Sequence, residues 1–542
     1  MIAILHGYLL EGSGSNLWTR SIVRSLCENG NTIHLMCQEN HPELYDFINE
    51  VIVYHPDGTR ETLFDRQSVY SGRCIMHKPK LGDTLPVYVG DKYEEFSNPQ
   101  PMVNLDNAEI EKYLNDNIRV LSEVVEAYQI QVIHANHAVL MSVVAQRVAE
   151  TKQIPYAIMP HGSAIEYAVK KDKRFFAFAE SAFNNAQRIY VIGNEIRSRI
   201  KKLFPELPLV ESKMMELNLG VDTTLFNPVN VQERKAKIQE LIELLKHVKR
   251  GKTHLQEQHL RERIRADISQ QQLQEIIRVS SSYNAKLTDE SAERKLKLIN
   301  REHEKIILFV GRLIASKGLH SVITALPEIL SAEPNTRLVI VGHGPQREPM
   351  EALIWALQNG HKELVLKLVD WGRKLENNGS IPLEETQQYF NQLRSSGKLD
   401  DYFQKAQQYL DDHRIVFTGY LTHKELCKLF PVCDVAVFPS VVPEAGPLVF
   451  LEAMASGCFP IGTYFAGMAA SIDSVSHAIP PEIIELMKLS PQADQTVRDI
   501  AKNVSKALHI PEAYKESLRS VTIEKYDWSN ISLRLSSDLY RL

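Results

Sequence analysis

The sequence predicts an α/β protein with two domains, in each of which short buried strands alternate with helices. Three observations support this fold class. Short apolar runs with the composition of buried parallel strands recur in residues 2–193 and again in 305–438. A glycine-rich turn follows the first run, as in a β-α-β unit. Residues 229–303 separate the two series and are rich in charge and free of proline, which indicates a helical insertion.

Length and composition limit the functional classes. The chain has 542 residues, enough for two or three domains, and its 44% apolar and 24% charged residues are ordinary for a globular protein. The net charge of −5 gives no reason to expect a nucleic-acid partner. We find no apolar run of membrane-spanning length, no secretory signal and no zinc-type cysteine spacing, so we expect a cytoplasmic protein.

The first domain begins with a strand at residues 2–6, a loop containing Gly7, Gly12 and Gly14, and a helix that ends at Gly30. The free N–H groups at such a helix start can hold a phosphate. A dinucleotide site with Glu39 as ribose ligand is the alternative, but the loop lacks the third glycine of that motif. A purely structural turn also fits.

Histidines follow two later strands of this domain. His134 and His137 are three positions apart without an evident third metal ligand, so we favour packing or ligand-site lining over a metal site. His161 ends the strand at 154–160, at the edge of a parallel sheet where ligands bind.

A basic cluster comes next, at Lys170, Lys171, Lys173 and Arg174, before two phenylalanines. A solvated face is the favoured interpretation. The alternative is a weak peripheral contact with an anionic membrane, or with an acidic acceptor.

The 229–303 insertion carries an apolar stripe that includes Ile238, Leu241, Ile242 and Leu245. A helix with such a stripe needs a partner surface. The insertion therefore either folds onto the body of the protein or makes a homo-oligomer contact.

The second domain begins near Lys305 with a buried strand that runs into Gly311 and Arg312. Lys317 follows five positions later, around a turn, so both cations can converge on one anion. The next strand ends in a glycine-rich segment with Gly342 and Gly344, and another strand ends before Tyr420 and Leu421.

Residues 434–457 predict a strand, a loop and a helix that ends at Gly457. Glu444 and Glu452 are eight positions apart and can lie along one side of this helix. Gly446 permits close approach to the backbone, and the helix start suits an anion. Two carboxylates beside an anion site suit a nucleotide-sugar, which is part polyol and part phosphate. A surface helix with two solvated glutamates is the alternative.

This segment resembles the E-x7-E signature of the family-four retaining glycosyltransferases, P-S-x-x-E-x-x-G-L-x-x-L-E-A-M-A-x-G. The matching residues are Pro439, Ser440, Glu444, Leu448, Leu451, Glu452, Ala453, Met454, Ala455 and Gly457. The sequence departs from the signature at Ala445-Gly446-Pro447, which shifts the glycine and adds a residue without an N–H donor.

Four further segments resemble motifs of the same family, in the same order. They are NLGVDTTLFNP at 218–228, GRLIASKG at 311–318, VGHGP at 341–345 and the Trp528 region near the C-terminus. The resemblance implies the GT-B fold, with two doubly wound Rossmann-like domains facing a cleft and carrying helical insertions.

The resemblance also implies an activity and a set of roles. The expected enzyme is a retaining, metal-independent glycosyltransferase without a cofactor, in which Arg312 and Lys317 bind the donor diphosphate. Glu444 would bind the sugar, Glu452 the ribose, and His161 would face the sugar. The other expected donor-binding residues are Gly12, Gly14, Gly311, Gly342, Gly344, Tyr420, Leu421, Gly446, Pro447, Leu448 and Val449.

We expect an acceptor-side domain at 1–228, the insertion at 229–303 and a nucleotide-sugar domain at 304–515 with a second helical insertion at about 346–414. A final helix at 516–542 would return to the first domain. The expected partners are an NDP-sugar and a carbohydrate, glycolipid or small-molecule acceptor. An epimerase, a phosphorylase and a non-catalytic nucleotide-sugar scaffold remain as alternatives.

Overall fold

The protein is described by a computed structural model that covers residues 1–11, 14–82, 84–88, 98–207, 210–283, 285–376, 379–443, 446 and 448–542. The chain forms two compact units. The first contains residues 1–220 and 525–542, and the second contains residues 221–524. Within the described residues, no helix is both long and apolar enough to cross a membrane.

The first unit is built on a nine-stranded sheet with the order β11-β10-β9-β8-β1-β2-β5-β3-β4. All neighbouring strands pair in parallel except β3 and β4. A separate parallel pair is formed by β6 and β7. The strands are β1 (Ile2–Leu5), β2 (Thr32–Met36), β3 (Ile48–Tyr54), β4 (Arg60–Asp65), β5 (Arg73–Pro79), β6 (Thr84–Val87), β7 (Asn98–Pro101), β8 (Val132–Asn136), β9 (Tyr156–Met159), β10 (Arg188–Val191) and β11 (Met214–Glu216).

The order of this sheet reverses at β1. The chain passes from β1 to β2 on one side, and later places β8 on the other side of β1. In doubly wound sheets, ligands bind outside the carboxyl ends of the strands at such a reversal. The helices around the sheet are α1 (Gly14–Glu28), α2 (Asn107–Tyr128), α3 (Met141–Lys152), α4 (Gly162–Ala164), α5 (Lys173–Asn185) and α6 (Asn194–Leu203).

Strands β3 to β5 were not predicted from the sequence. Strand β4 is the edge strand, and most of its residues are exposed. An edge strand that buries neither face carries no alternation of apolar and polar residues, which is the signal that sequence analysis uses.

The second unit contains a six-stranded parallel sheet with the order β14-β13-β12-β15-β16-β17. The order reverses between β12 and β15, because β13 and β14 lie on one side of β12 and β15 on the other. The strands are β12 (Lys305–Val310), β13 (Thr336–Val341), β14 (Ile415–Gly419), β15 (Val435–Phe438), β16 (Phe459–Thr463) and β17 (Lys488–Leu489). The prediction of two Rossmann-like sheets is confirmed.

Helices make up most of the remaining second unit. The first four belong to the segment predicted as an insertion. The helices are α7 (Arg234–Leu245), α8 (His254–Arg263), α9 (Gln270–Ser280), α10 (Ala292–Lys297), α11 (Leu319–Ala332), α12 (Arg347–Gln358), α13 (Lys362–Trp371), α14 (Glu384–Ser395), α15 (Leu399–Tyr409), α16 (His423–Leu429), α17 (Leu448–Ala455), α18 (Ala466–Asp473), α19 (Pro481–Met487), α20 (Ala493–Ala507) and α21 (Glu512–Tyr526).

The apolar stripe of the insertion is covered by the chain itself. Ile238, Leu241, Ile242 and Leu245 are buried within the second unit, where α7 packs on α16. The stripe therefore has an intramolecular partner, which favours the first of the two alternatives, folding onto the body of the protein.

The end of the insertion also pairs with strand β14. The Asp289 N–H donates to Thr418 O at 2.8 Å, and the Tyr420 N–H donates to Leu287 O at 2.9 Å. Thr288 forms a bridge with Gly419 in the antiparallel sense. Strand β14 is the outermost strand of its sheet, so this segment covers its free edge at the carboxyl end.

The last helix, α22 (Trp528–Leu539), packs on the first unit against α1. The Asn29 amide donates to Ser532 Oγ at 2.7 Å, and Arg188 donates to Asp538 at 2.8 Å. The six cysteines are buried and unpaired by disulfides.

Candidate functional site

The carboxyl edge of the second sheet brings together most of the residues that the sequence predicts for donor binding. Because all six strands are parallel, the segments that follow β12, β13, β14 and β15 emerge at the same edge. The described parts of these segments are 311–318, 342–344, 420–421 and 439–443. The reversal of strand order lies between β12 and β15, so the first and last of these segments flank it.

The turn that carries Lys317 is hydrogen-bonded to the loop after β15. The Val441 N–H donates to Ser316 O at 2.9 Å, and Ser440 Oγ donates to the same oxygen at 3.2 Å. Gly318 has φ +73°, and a Cβ at this position would lie 2.0 Å from the Pro439 carbonyl oxygen. Only glycine fits this close approach, which holds the turn that carries Lys317 against the loop after β15.

Arg312 supplies a second cation at this edge. It is exposed and, among the residues the structure describes, has no ion-pair partner. Burial, and after it the charges of Arg312 and Lys286, lowers the pKa of His343. Gly311, which precedes Arg312, would bring a Cβ to 4.0 Å from Lys317 Cγ, so the two cation-bearing segments adjoin.

Glu452 lies on α17 and is 3% exposed. His423 Nε2 lies 2.9 Å from its Oε1, whereas Oε2 is buried without a hydrogen-bond partner among the described residues. A buried carboxylate oxygen that lacks a donor is costly, and a ligand hydroxyl can satisfy it. Glu452 therefore remains suited to the predicted ribose contact.

His423 was not identified from the sequence. It is the first residue of α16, directly after β14, and its ring also contacts Phe226 edge to face at 5.8 Å. The available signal was the capping box of Thr422 and Glu425, which marks a helix start at the carboxyl edge. Sequence analysis placed Glu452 only relative to Glu444 and did not consider this neighbouring helix.

Two of the predicted donor-binding glycines are required by the chain itself. A Cβ on Gly342 would lie 1.8 Å from Gly311 O, and a Cβ on Gly344 would lie 2.4 Å from Leu313 O. The Leu313 N–H also donates to His343 O at 2.7 Å. These glycines therefore pack the segment after β13 against the segment after β12, whatever they contribute to a ligand.

The backbone of Tyr420 is already engaged. Its N–H donates to Leu287 O, and its carbonyl accepts a hydrogen bond from Thr288 Oγ1 at 2.9 Å. The side chain packs edge to face on His343 at 5.6 Å, and Leu421 is buried. The Tyr420 N–H is therefore not available to a ligand.

Three predicted site residues, Gly12, Glu444 and Pro447, lie outside the described residues. Gly446 lies between two of them. Leu448 and Val449 form the first turn of α17, and both are half-buried. The amides of this turn have no partners within the helix, as at every helix start.

The carboxyl edge of the first sheet has a different composition. Four histidines, His6, His134, His137 and His161, are buried there with Trp18. The rings of His137 and His161 are 4.9 Å apart, and Trp18 lies 5.7 Å from His161. Burial lowers the pKa of His161 to about 3 and that of His6 to about 4, so the histidines are neutral near pH 7.

A chain of hydrogen bonds orients His161. His161 Nε2 lies 3.3 Å from Asn136 Oδ1, and the Asn136 amide donates to Thr19 Oγ1 at 2.9 Å. Because Asn136 Oδ1 can only accept, Nε2 carries the proton, and Nδ1 of the neutral ring is an acceptor. Gly14 begins α1 at the same edge, and a Cβ there would meet no protein atom within 4 Å.

The rival sites weighed for this unit are not supported by its geometry. Glu39 accepts hydrogen bonds from the N–H groups of Leu10, Asn40 and His41 at 2.8–3.0 Å. Its carboxylate therefore binds the protein's own backbone. His134 and His137 are buried side by side with aromatic rings. Among the described residues, no group of three or more histidine, cysteine or acidic side chains could hold a metal ion.

The basic cluster before α5 is paired locally. Lys170 bonds Glu166 at 2.6 Å, Arg174 bonds Asp172 at 2.6 Å, and Lys171 lies over the Tyr167 ring at 5.2 Å. This is the arrangement of a solvated, charge-compensated face.

Comparison with known proteins agrees with the geometry of both sheets. Models of "Glycosyl transferases group 1" match residues 290–376 and 384–488, and a model of "Glycosyltransferase Family 4" matches residues 88–225. The chain belongs to the group 1 glycosyltransferases. The matched segments of this glycosyltransferase together span more than half of the chain, and residues 226–289 lie outside them.

Individual relatives of this glycosyltransferase are distant. An uncharacterized glycosyltransferase from Methanocaldococcus jannaschii is 27% identical over 235 residues, which is 43% of this chain and 44% of that protein. A 2-deoxystreptamine glucosyltransferase from Streptomyces kanamyceticus is 25% identical over 220 residues, 41% of this chain and 40% of that protein. The alignments thus span less than half the length of these curated relatives.

Solved structures share the fold. A glycosyltransferase from Rickettsia africae superposes with a TM-score of 0.52 at 14% identity, covering 100% of this chain and 97% of that one. The Anabaena protein HepE, in complex with UDP, superposes with a TM-score of 0.50 at 13% identity and covers both chains fully. The predicted GT-B fold is confirmed.

Proposed function

We propose that this protein is a retaining glycosyltransferase that transfers a sugar from an NDP-sugar to an acceptor hydroxyl without a metal ion. One observation carries the proposal. The turn bearing Lys317 is hydrogen-bonded to the loop that leads to α17, at the reversal of strand order, and α17 bears the buried, underbonded Glu452. This places the cations and the segment that continues into α17 at one edge of the sheet, which supports binding of an NDP-sugar by both.

Arg312 and Lys317 are the groups we assign to the diphosphate. When the bond between sugar and phosphate breaks, negative charge builds on the departing phosphate. Cations that are already in position stabilise that charge well, because they do not have to reorganise while the bond breaks. Gly318 and the Ser316 hydrogen bonds hold the Lys317 turn, which supplies this preorganisation.

The two glutamates of the E-x7-E segment are assigned to different hydroxyl groups. We assign Glu452 to the ribose, because its Oε2 is buried and lacks a donor. His423 acts as a positioning residue, since its bond to Oε1 leaves the other oxygen for the ligand. Glu444 is assigned to the sugar on the resemblance of the motif.

Retention of configuration is proposed with the departing phosphate oxygen as the base for the incoming hydroxyl, on the same face of the sugar. No side chain is assigned as a nucleophile. For His161 we propose a neutral hydrogen-bonding contact with the sugar, which its low pKa and its Nδ1 acceptor would permit.

Nucleotide release from a panel of donors tests the proposal. The protein is incubated with UDP-, GDP- and ADP-sugars, with and without saccharide, glycolipid and small-molecule acceptors, and free NDP is measured. UDP-sugars come first because UDP is bound to HepE. We expect acceptor-dependent NDP release and a product with the anomeric configuration of the donor, read by NMR. Interconversion of sugars without release would instead show an epimerase.

Metal independence has its own test. Activity in excess chelator should stay within about tenfold of the untreated value, which is roughly 1.4 kcal/mol of barrier. A larger loss, restored by a divalent ion, would contradict the assignment of Arg312 and Lys317 to the charge on the phosphate.

A further inference from the structure

A second cavity lies in the second unit, away from the carboxyl edge of its sheet. Its walls come from the insertion helices α8 and α10, from α12, and from the segment that enters β14. The cavity volume is about 480 Å³, within the range of about 300–1,000 Å³ that small-molecule sites occupy. Leu410, Asp411, Asp412 and Ile415 line it at the amino end of β14, opposite the end that carries Tyr420.

Each carboxylate on these walls has a cation beside it. Lys295 Nζ lies 2.5 Å from Glu257 Oε1, and Lys252 and Arg347 both bond Glu351 within 3.0 Å. At the rim, Arg261 bonds Asp412 at 3.1 Å, and Arg414 lies 3.6 Å from Asp411. The cavity is thus compensated in charge and favours neither a cationic nor an anionic ligand.

The walls nevertheless offer acceptors for hydroxyl groups. Glu257 is only 8% exposed, and its bonds from Lys295 and Ser291 both end on Oε1. Its Oε2 receives no hydrogen bond from any described residue, and the neighbouring cation lowers its pKa despite burial, so it can only accept. Gln358 and Asn359 add amide groups to the lining.

An aromatic surface completes the cavity. Trp355 lines it, and its indole ring is held by stacking on His361 at a centroid distance of 4.8 Å. Ile264 and Phe417 add further apolar surface. Ionised acceptors beside an indole suit a ligand that has many O–H donors and an apolar C–H face.

We propose that this cavity is a second carbohydrate-binding site, one that binds a short neutral saccharide apart from the donor site. Trp355 packs on the C–H face of a sugar ring, while Glu257 Oε2 and Gln358 bond its hydroxyl groups. Residues 226–289, which contribute α8, lie outside the segments that the family models match, whereas the other walls lie within them. The inference does not depend on the proposed function, since its test measures binding alone.

Saturation-transfer difference NMR on the full-length protein tests the site. The probes are neutral disaccharides built from glucose, galactose or mannose, with glucuronic acid, glucosamine and uridine as charged and nucleoside comparisons. We expect at least one neutral disaccharide to bind with a Kd below about 10 mM, and to stay bound when UDP is in excess. Preference for a charged probe or for uridine, displacement by UDP, or binding by none of the disaccharides would overturn the proposal.

Matched variants locate the binding. Trp355→Ala should weaken disaccharide binding at least tenfold, Trp355→Phe should retain part of it, and Gln358→Ala should weaken it less. Trp371→Phe is the control, because that tryptophan lies on α13 and does not line the cavity. Folding of every variant is checked by circular dichroism. If Trp355→Ala folds yet binds as tightly as the wild type, the saccharide is bound elsewhere and the proposal fails.

Discussion

The two sheets reverse their strand order in the same way, but they place opposite chemistry at the reversal. In the first unit the carboxyl edge carries buried, neutral histidines that pack against Trp18 and against one another. In the second unit the corresponding edge carries an exposed Arg312 and a half-buried Lys317 on a turn that Gly318 packs against the loop after β15, and α17 carries the buried carboxylate of Glu452. A shared reversal of strand order therefore constrains where ligands bind but leaves the choice of ligand to the side chains.

The two edges are therefore suited to different ligands. A charged edge can hold a diphosphate and oppose the charge that develops when it leaves. A neutral edge of histidine, asparagine and tryptophan can hold uncharged polyols through hydrogen bonds and stacking, and its own stability depends on remaining unprotonated. Mutations at the two edges should accordingly differ in which quantity they change.

The largest effect is expected at the charged edge. Lys317→Ala should lower kcat by about 10²–10³-fold, because a preorganised charge opposite the departing phosphate is removed. It should also weaken the binding of NDP measured by calorimetry. Lys305→Ala is the matched control, since Lys305 lies at the amino end of β12, the strand whose carboxyl end leads to Lys317. Equal losses in both variants would contradict a specific role for Lys317.

The next effect distinguishes the two glutamates. Glu452→Gln should weaken the binding of bare NDP by roughly ten- to a hundredfold, because a hydrogen bond to a charged group contributes about 1.5–3 kcal/mol. Glu444→Ala should leave NDP affinity nearly unchanged and lower kcat and sugar discrimination, because NDP carries no sugar. If calorimetric titration finds similar NDP losses in both variants, the division between ribose and sugar is wrong.

A pair of glycines tests the edges without altering charge. Gly344→Ala should destabilise the second unit by about 1–3 kcal/mol in denaturant unfolding, because its Cβ would overlap Leu313 O and its φ is +150°. Gly14→Ala should leave stability unchanged or raise it by up to about 1 kcal/mol, because it starts a helix and its Cβ meets no protein atom. A loss of activity in folded Gly14→Ala would then report close contact with a ligand, whereas unfolding of that variant would contradict the open space found there.

The smallest effect concerns the neutral edge and pH. The pKa of His161 is about 3 when folded, against about 6.5 when unfolded, so the unfolded chain binds more protons below pH 6.5. The stability this histidine contributes is complete above that pH and is lost as the pH falls toward 3. The slope is at most about 1.4 kcal/mol per pH unit.

His161→Gln should remove that part of the slope when urea unfolding is compared at about pH 7 and about pH 5. His259→Gln, which changes an exposed histidine, should leave the slope as in the wild type. A slope that is the same for wild type and His161→Gln would show that His161 binds protons equally in the folded and unfolded states, which would contradict its lowered pKa.

The features predicted from the sequence are those with a local signal. Strand β12 was identified because a buried parallel strand has a continuous apolar sequence. Arg312 and Lys317 were identified because they belong to one short motif that directly follows this strand. The position of Glu452 on the side of its helix that faces the carboxyl edge of the second sheet was predicted from helix periodicity. The α/β class and the two Rossmann-like sheets were predicted on the same grounds.

Features that depend on distant parts of the chain were not predicted. The contact between His423 and Glu452 joins two helices, and the sequence positions of these residues carry no signal that predicts it. The engagement of the Tyr420 backbone by Leu287 and Thr288 arises from a segment that sequence analysis treated as separate. Likewise, the backbone overlap that would meet a Cβ on Gly342 or Gly344 becomes visible only when neighbouring strands are side by side.

The pairing of residues 287–289 with β14 has a consequence for how this protein behaves in solution. An uncovered edge strand offers unpaired N–H and C=O groups to other chains and is a site of aggregation. The hydrogen bonds from Asp289 and to Leu287 occupy those groups where β14 ends. We therefore expect a version of the chain shortened to the segments shared with its family to expose this end of β14 and to precipitate, rather than simply lose a surface domain.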